Sequence, residues 1–410
     1  MSIAIDIDRL MRRLTELGRI GALPGGGVKR LALSEEDRAG RALVMGWMRE
    51  LGLEVTRDVI GNCWGVRRGR GAGAPVVMGS HIDTVATGGL YDGSLGVLAG
   101  LEVIASLNET GAATERPVAV AFFTNEEGAR FAPDMMGSGV AQGALALDEM
   151  LAAVGIDGVS VGEALAASGA AGPAPVRALA PHCYLELHIE QGPVLEAEGL
   201  EIGVVTGVQG ISWSEFRVLG SSAHAGTTPM AMRRDAGAVA ARIAVEAQAI
   251  AAEFGPPQVA TVGRMRFSPD LVNVVPEEAV LTVDLRHTDE ATLRRAEARL
   301  RQAAERFAAE AGCRVKRRTL ARFAPVAFDP ALVGRVEAAA QALGLSHRRM
   351  PSGAGHDAQM FAPNCPAAMV FVPSKDGLSH NVREFTAPAQ LHAGAEVLLA
   401  VVCEQAGLVG

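Results

Sequence analysis

The sequence predicts an α/β fold, a mainly parallel sheet covered by helices, carrying a smaller inserted α+β domain. Three observations lead there. Apolar runs of strand length alternate with helical periodicity, polar clusters close several of those runs, and the texture changes between about Ile211 and Arg322. Strands alternating with helices build a parallel sheet, and the ligand crevice of such a sheet lies beyond the carboxyl ends of its strands.

The elements justify this in order. A helix begins at Asp8-Arg9-Leu10-Met11, and a second runs from Ala39 to Leu51 and ends at Gly52. Val76-Val77-Met78 is a strand leading into Gly79-Ser80-His81-Ile82-Asp83, followed by a helix from Leu95 to Leu107. The run Val118 to Phe123 leads into Thr124-Asn125-Glu126-Glu127-Gly128, and Tyr184-Leu185-Glu186-Leu187 ends at His188. The middle reads as strand Ile211–Leu219, helix Asp235–Phe254, strands near Gln258–Phe267 and Ala279–His287, helix Asp289–Ala311, and strand Cys313–Leu320. That order is βαββαβ, the ferredoxin-like arrangement. Leu293, Leu300 and Phe307 form the narrow apolar stripe of a helix buried on one face. From Phe323 the alternation resumes, with Met369-Val370-Phe371-Val372 leading to His380. Residues 211–322 are therefore read as an insert in a domain made of 1–210 and 323–410. The Ala/Gly/Pro-rich stretch Ala166 to Pro175 reads as a surface loop, and no internal repeat is visible.

A chain of 410 residues exceeds the size of one hydrophobic core, which fits two domains. Its 38 basic and 46 acidic residues give a net charge of -8 without long single-sign blocks, which argues against nucleic acid or an anionic membrane and for a small-molecule partner. The five cysteines, Cys63, Cys183, Cys313, Cys365 and Cys403, are scattered and form no CxxC pair. Neither a disulfide framework nor a cysteine zinc site is expected. The start, Met1-Ser2-Ile3-Ala4-Ile5-Asp6, lacks a basic region before an apolar stretch, and no run reaches the roughly 18 apolar residues of a membrane span. A cytoplasmic protein is expected.

The polar clusters carry the chemistry. His81 sits just past a buried strand, where a lone histidine is usually a hydrogen-bonded core residue; Asp83, two residues on, can accept its second ring N–H as metal-bound imidazoles require. Asp92, in Gly89-Leu90-Tyr91-Asp92-Gly93, could cap the next helix, but Ser94 is better placed for that. Two adjacent carboxylates after an apolar strand are unfavourable without partners. One of Glu126 and Glu127 can ligate metal while the other serves as general base. His188 ends a core run with Glu186 in support, and His380 lies on a turn after Gly377. Five such ligands, one bridging, suffice for two divalent ions, and this nitrogen and oxygen mixture suits zinc, with manganese, cobalt or nickel also tolerated.

Further motifs extend the pattern: Glu186-Leu187-His188-Ile189-Glu190-Gln191-Gly192, Ala223-His224-Ala225-Gly226-Thr227-Thr228-Pro229, Asn273-Val274-Val275-Pro276 and Gly353-Ala354-Gly355-His356-Asp357. With Gly79 to Val85 and Asn125 to Gly128, they resemble the M20-type metallo-amidohydrolases of the hydantoinase/carbamoylase branch. That branch contains N-carbamoyl-L-amino-acid hydrolases, β-ureidopropionases and allantoate amidohydrolases. The resemblance implies a zinc-hydrolase catalytic domain in which His81 and His188 hold one metal and Glu127 and His380 the other. Asp92 would bridge them, and Glu126 would be the base. It implies that Gln191, Gly355 and His356 contact the substrate, that Asn273 and Arg286 grip its carboxylate, and that His224 polarises the scissile amide. A ureido acid would be the substrate, and the insert would serve as lid and homodimer interface. Val85-Ala86-Thr87 and Lys375-Asp376 depart from the expected pattern and blur the substrate. An aminoacylase or dipeptidase, or a non-catalytic ureido-acid-binding protein, are the rival readings. His182, His287, His347 and His392 read as structural.

Overall fold

Four strands are buried along their whole lengths: Val76–His81 (β1), Val118–Phe123 (β2), Cys183–Ile189 (β3) and Ala367–Val372 (β4). They pair in parallel in the order β2-β1-β3-β4. Cys63–Arg67 and Glu54–Arg57 continue the sheet antiparallel beyond β2, and Ile202–Val208 runs antiparallel beside β4. The sheet, of nine strands among the described residues, is thus parallel at its centre and mixed at its flanks. Strands covered on both faces explain why these runs are almost wholly apolar.

The computed structural model describes residues 3–176 and 180–409. Met1 and Ser2, on which the reading of the N-terminus partly falls, lie outside them. The chain forms two units, one from the chain up to Thr206 together with Ala327 onward, the other Gly207–Val326.

Register places the chemistry. His81 is the last residue of β1 and pairs with Phe123, the last of β2, while His188 of β3 pairs with Phe371 of β4. The polar clusters therefore emerge at one edge of the sheet, at the carboxyl ends of its parallel strands. Helix α1 (Ser94–Glu109) is buried from Ser94 to Leu107, and so shows no polar stripe. Its Gly96 permits this depth, since a Cβ there would stand 2.7 Å from the Leu187 carbonyl oxygen and 2.9 Å from Ser80 Cβ. Below the site, the short helix α2 (Asp357–Phe361) lays Phe361 flat on Tyr184, with ring centroids 4.1 Å apart, and Phe123 lies 5.4 Å away.

The expected loop Ala166 to Pro175 is only partly one. Ala166, Ala167 and Ser168 finish a helix, Val161–Ser168, started by a reciprocal cap between Ser160 and Glu163. Ala170 is buried, and Ala174 bridges to Asp58. Small residues there fit against neighbours rather than looping freely. The short helices Met136–Gln142 and Leu147–Ala152 escaped notice because one or two turns carry too little periodicity.

The second unit is an antiparallel sheet in the order Val259–Ser268, Glu278–His287, Gly210–Leu219, Arg314–Phe323. Helices Ala236–Phe254 and Glu290–Glu310 cover one face, burying Ile243, Leu293, Leu300 and Phe307 against Phe216, Val218 and Leu281. No helix among the described residues is long and apolar enough to cross a membrane, and all five cysteines are free.

Replacing Phe361 by Ala empties the centre of the aromatic cluster and is expected to lower stability by about 3–5 kcal/mol, read from the denaturant midpoint.

Candidate metal centre

Three imidazoles and three carboxylates converge at the sheet edge. Asp92 stands between them with its two oxygens divided. Oδ1 lies 3.3 Å from His188 Nε2 and 3.5 Å from His81 Nε2, while Oδ2 lies 3.5 Å from His380 Nε2. His380 Nε2 is also 3.1 Å from Glu127 Oε2, and Glu126 Oε2 is 3.3 Å from His81 Nε2. Two groups able to hold a metal ion result, His81-Asp92-His188 and Asp92-Glu127-His380, sharing Asp92. A cavity of about 110 Å³ is lined by these six residues together with Asp134, Gln191, Ala354, Gly355 and His356.

The backbone aims the rings. His81 Nδ1 lies 2.9 Å from the Asp83 carbonyl and His188 Nδ1 2.9 Å from the Ile189 carbonyl. A carbonyl can only accept, so each Nδ1 carries the proton and each Nε2 keeps a lone pair, that of His188 accepting from Gly93 N–H at 3.1 Å. The expectation that the Asp83 carboxylate orients His81 is corrected: its two oxygens accept instead from Glu126 N–H and Glu127 N–H, each at 3.3 Å. A buried carboxylate with two backbone donors needs no ring N–H, and the loop brings its own carbonyl to the imidazole. Glu186 likewise does not orient His188 by a hydrogen bond, accepting instead from Ser80 Oγ at 2.6 Å and Ala358 N–H at 2.9 Å. Glu186, His188 and His356 also come within ligating range of one another, but the Glu186 oxygens are already occupied.

Asp92 caps nothing. Gly93 begins α1 without a side-chain cap, at φ 62°, where a Cβ would fall 2.3 Å from His81 Cε1. Gln191 Nε2 and Ser379 Oγ donate to Asp92 Oδ2 at 2.8 and 2.7 Å. Gln191 and His380 both hold left-handed backbone, φ 57° and 55°, a strained state that fixed neighbours must sustain. Gln191 N–H is tied to Ser374 Oγ at 3.0 Å, and its buried Oε1 has no partner. His356 is buried; Ser352 Oγ donates to the Ala354 carbonyl at 2.9 Å and so accepts at 2.9 Å from His356 Nε2.

Charge decides what the cluster can hold. Lone pairs facing carboxylates repel unless each ring gains a second proton or a cation lies between. Without metal, protons do this: burial disfavours a charged His81, yet Glu126, Asp92 and Asp83 push its pKa well above the usual value. The hydrogen bond that His380 donates to Glu127 carries its pKa up to about 9. Burial would raise Asp92, but His188 and His81 hold it well below the carboxylate range. Burial lifts Glu126 well above that range, Asp357 and Glu127 adding to the effect against the pull of His81. His356 is held neutral by burial and by His188. The buried Glu127 Oε1 lacks any hydrogen-bond partner. An acceptor-only set with one orphaned oxygen fits divalent cations.

His224, Asn273 and Arg286 belong to the second unit. His224 is exposed, its Nδ1 accepting from Gly226 and Thr227 N–H, and Asn273 lies beside it through the Ala225 N–H to Asn273 carbonyl bond of 3.0 Å. Arg286 does not join them. It pairs with Ile211 at one end of the sheet, whereas the Leu219 and Glu278 end leads to His224 and Asn273. Eight residues of strand, roughly 26 Å, separate those ends. The Arg286 fork also engages Asp284 at 2.9 to 3.2 Å. The expected joint grip of Asn273 and Arg286 is therefore not assembled within the unit, because a fully paired ladder holds them at opposite ends. His287, His347 and His392 have local partners in Asp289, Leu345 and Glu396, as structural histidines should.

Sequence reading missed Ser379, Asp357 and Glu384. Buried Glu384 accepts from Tyr91 and Asp92 N–H at 2.9 and 3.2 Å and holds the turn that carries Asp92; burial and the Asp92 charge push it to about 7. Its one sequence signal was proximity to His380.

Residues 77–404 match the model of peptidase family M20/M25/M40. The chain is 44% identical over 406 residues to an N-carbamoyl-L-amino-acid amidohydrolase of Rhizobium meliloti, covering 99% of this chain and 98% of that one. It is 41% identical to the N-carbamoyl-L-amino acid amidohydrolase of Geobacillus stearothermophilus, covering 97% and 98%. Among solved structures, the hydantoinase/carbamoylase family amidase of Burkholderia multivorans superposes with a TM-score of 0.96 at 47% identity, covering 99% of both chains.

Because His380 is protonated below about pH 9 without metal, uptake must expel protons and affinity must weaken as pH falls. Titration calorimetry with zinc in buffers of different ionisation heat is expected to show proton release, larger at pH 6.5 than at pH values above 9. Gly93→Ala is expected to abolish tight binding by displacing His81, while leaving circular dichroism unchanged.

Proposed function

The chain belongs to peptidase family M20/M25/M40, within its hydantoinase/carbamoylase branch, and from this we propose that it hydrolyses the carbamoyl C–N bond of an N-carbamoyl-L-amino acid. The products are the amino acid, carbon dioxide and ammonia. It is a hydrolase of non-peptide C–N bonds. The observation that carries the reading is Asp92, divided between two ligand groups beside the buried carboxyl of Glu126.

His81 and His188 would hold one divalent ion and Glu127 and His380 the other, with Asp92 shared. When bound, these ions, zinc first and manganese, cobalt or nickel as alternatives, supply the positive charge that makes water nucleophilic near neutral pH. Glu126 takes the proton of the attacking water and returns it to the departing nitrogen. The raised proton affinity of its buried carboxyl suits that exchange. Gln191, held by its amide nitrogen, keeps Oε1 for a substrate N–H, and Gly355 leaves room on the cavity wall. His356, neutral, orients the amide.

We assign residues 211–322, within the second unit, as a ferredoxin-like lid and dimerisation domain, its ferredoxin-like arrangement supported by the strand order. His224 is assigned to the scissile carbonyl, and Asn273 and Arg286 to the carboxylate. Their separation along the strand supports a homodimer, in which two copies can offer both ends to one substrate. Cytoplasmic residence is supported by five free cysteines.

Ammonia release from metal-reconstituted protein tests the reading, with N-carbamoyl-L-amino acids, N-carbamoyl-β-alanine and allantoate as substrates, and liberated free amino acid compares N-carbamoyl with N-acetyl amino acids, whose cleavage yields acetate and no ammonia. The first group is expected to turn over fastest. Faster N-acetyl cleavage would assign an aminoacylase, and no ammonia from any ureido acid with metal bound would leave a binding protein. Glu126→Gln is expected to keep metal and lose about 10²–10⁴-fold in kcat. Arg286→Lys should chiefly raise KM.

A further inference from the structure

Arg30 is buried to 1% exposure, and the carboxylates of Asp37 and Asp83 partly offset its charge without a hydrogen bond to its guanidinium. Burial lowers its pKa only to about 10, so it is charged at neutral pH. A charge there requires a full set of acceptors, and they come from three separate segments. Nε donates to the Ile82 carbonyl at 2.7 Å, directly after His81. One terminal nitrogen donates to the Leu17 and Ile20 carbonyls at 3.0 Å, and the other to Ser94 Oγ at 3.3 Å, two residues beyond Asp92. The Arg30 backbone adds a reciprocal pair with Thr84: its N–H donates to Thr84 Oγ1 at 2.8 Å and its carbonyl accepts from Thr84 N–H at 2.9 Å.

Ile82 and Ser94 flank the loop that separates His81 from Asp92. One planar guanidinium fastens both flanks, so the spacing between these two ligands is set from behind the site by a rigid fork. Nothing else in the mechanism uses Arg30, and it is too far inside to meet substrate.

We propose that Arg30 is a positioning residue that sets the distance between His81 and Asp92 and thereby the metal affinity of the centre. This rests on the metal reading above.

The experiment measures zinc affinity by chelator competition, alongside melting temperature, for the wild type, Arg30→Lys, Ser94→Ala, Thr84→Val and Leu332→Ala, the last a buried control on another helix. Lysine keeps the charge and loses the fork. Arg30→Lys is expected to weaken zinc binding about 10- to 100-fold, Ser94→Ala and Thr84→Val by smaller factors, and Leu332→Ala not at all despite a comparable fall in melting temperature. Folded Arg30→Lys with wild-type affinity overturns the proposal, as does an equal loss in Leu332→Ala. Should Arg30→Lys not fold, unchanged affinity in both Ser94→Ala and Thr84→Val overturns it. Wild-type protein without zinc affinity would instead refute the metal centre itself.

Discussion

The structure depends on a conflict of like charges. Asp92, Glu126 and Glu127 gather around the same imidazoles at the edge of an apolar sheet, with side chains at most 9% exposed, where water screens them poorly. Such an arrangement persists only with positive charge among them, and the Nε2 atoms of three imidazoles, able to carry protons or to ligate a divalent cation, are placed to provide or hold it. Much of the surrounding architecture serves this compromise. Asp83 neutralises the amide dipoles of the Glu126-Glu127 turn, and Glu384 does the same for the Tyr91-Asp92 turn.

The parallel centre of the sheet makes the convergence possible. Four strands run the same way, so their carboxyl ends meet at one edge however distant they are in sequence. α1 descends between that edge and the core because Gly96 lets its backbone touch β1 and β3. An aromatic layer of Tyr184, Phe123 and Phe361 then lies beneath the charged residues. Polar and apolar layers are thus stacked with little between them, which keeps the carboxylates desolvated and their proton affinities displaced.

The ligands were legible because each polar residue closes an unusually apolar run, and that contrast is local. His81, His188 and the Glu126-Glu127 pair announce themselves within a few positions. Ser379 and Glu384 do not, since their partner Asp92 lies almost 300 positions away and a serine or glutamate on a loop looks solvated. Arg30, next to Lys29, reads as one more surface cation, and only burial reveals it. Asp83 shows how a correct residue can be given the wrong bond, because spacing cannot distinguish a carboxylate from the carbonyl behind it. Arg286 shows what the motifs leave out: the resemblance names it with Asn273 for one carboxylate, and only strand register reveals that they stand at opposite ends of the sheet within one unit.

The imidazoles His81 and His188 take their orientation from main-chain oxygens one or two positions ahead of them. The hydrogen bond that turns each ring thus needs no partner side chain. Substitutions in the loops around the cavity can therefore change its shape while leaving these two main-chain tethers, and the direction of both rings, as they are.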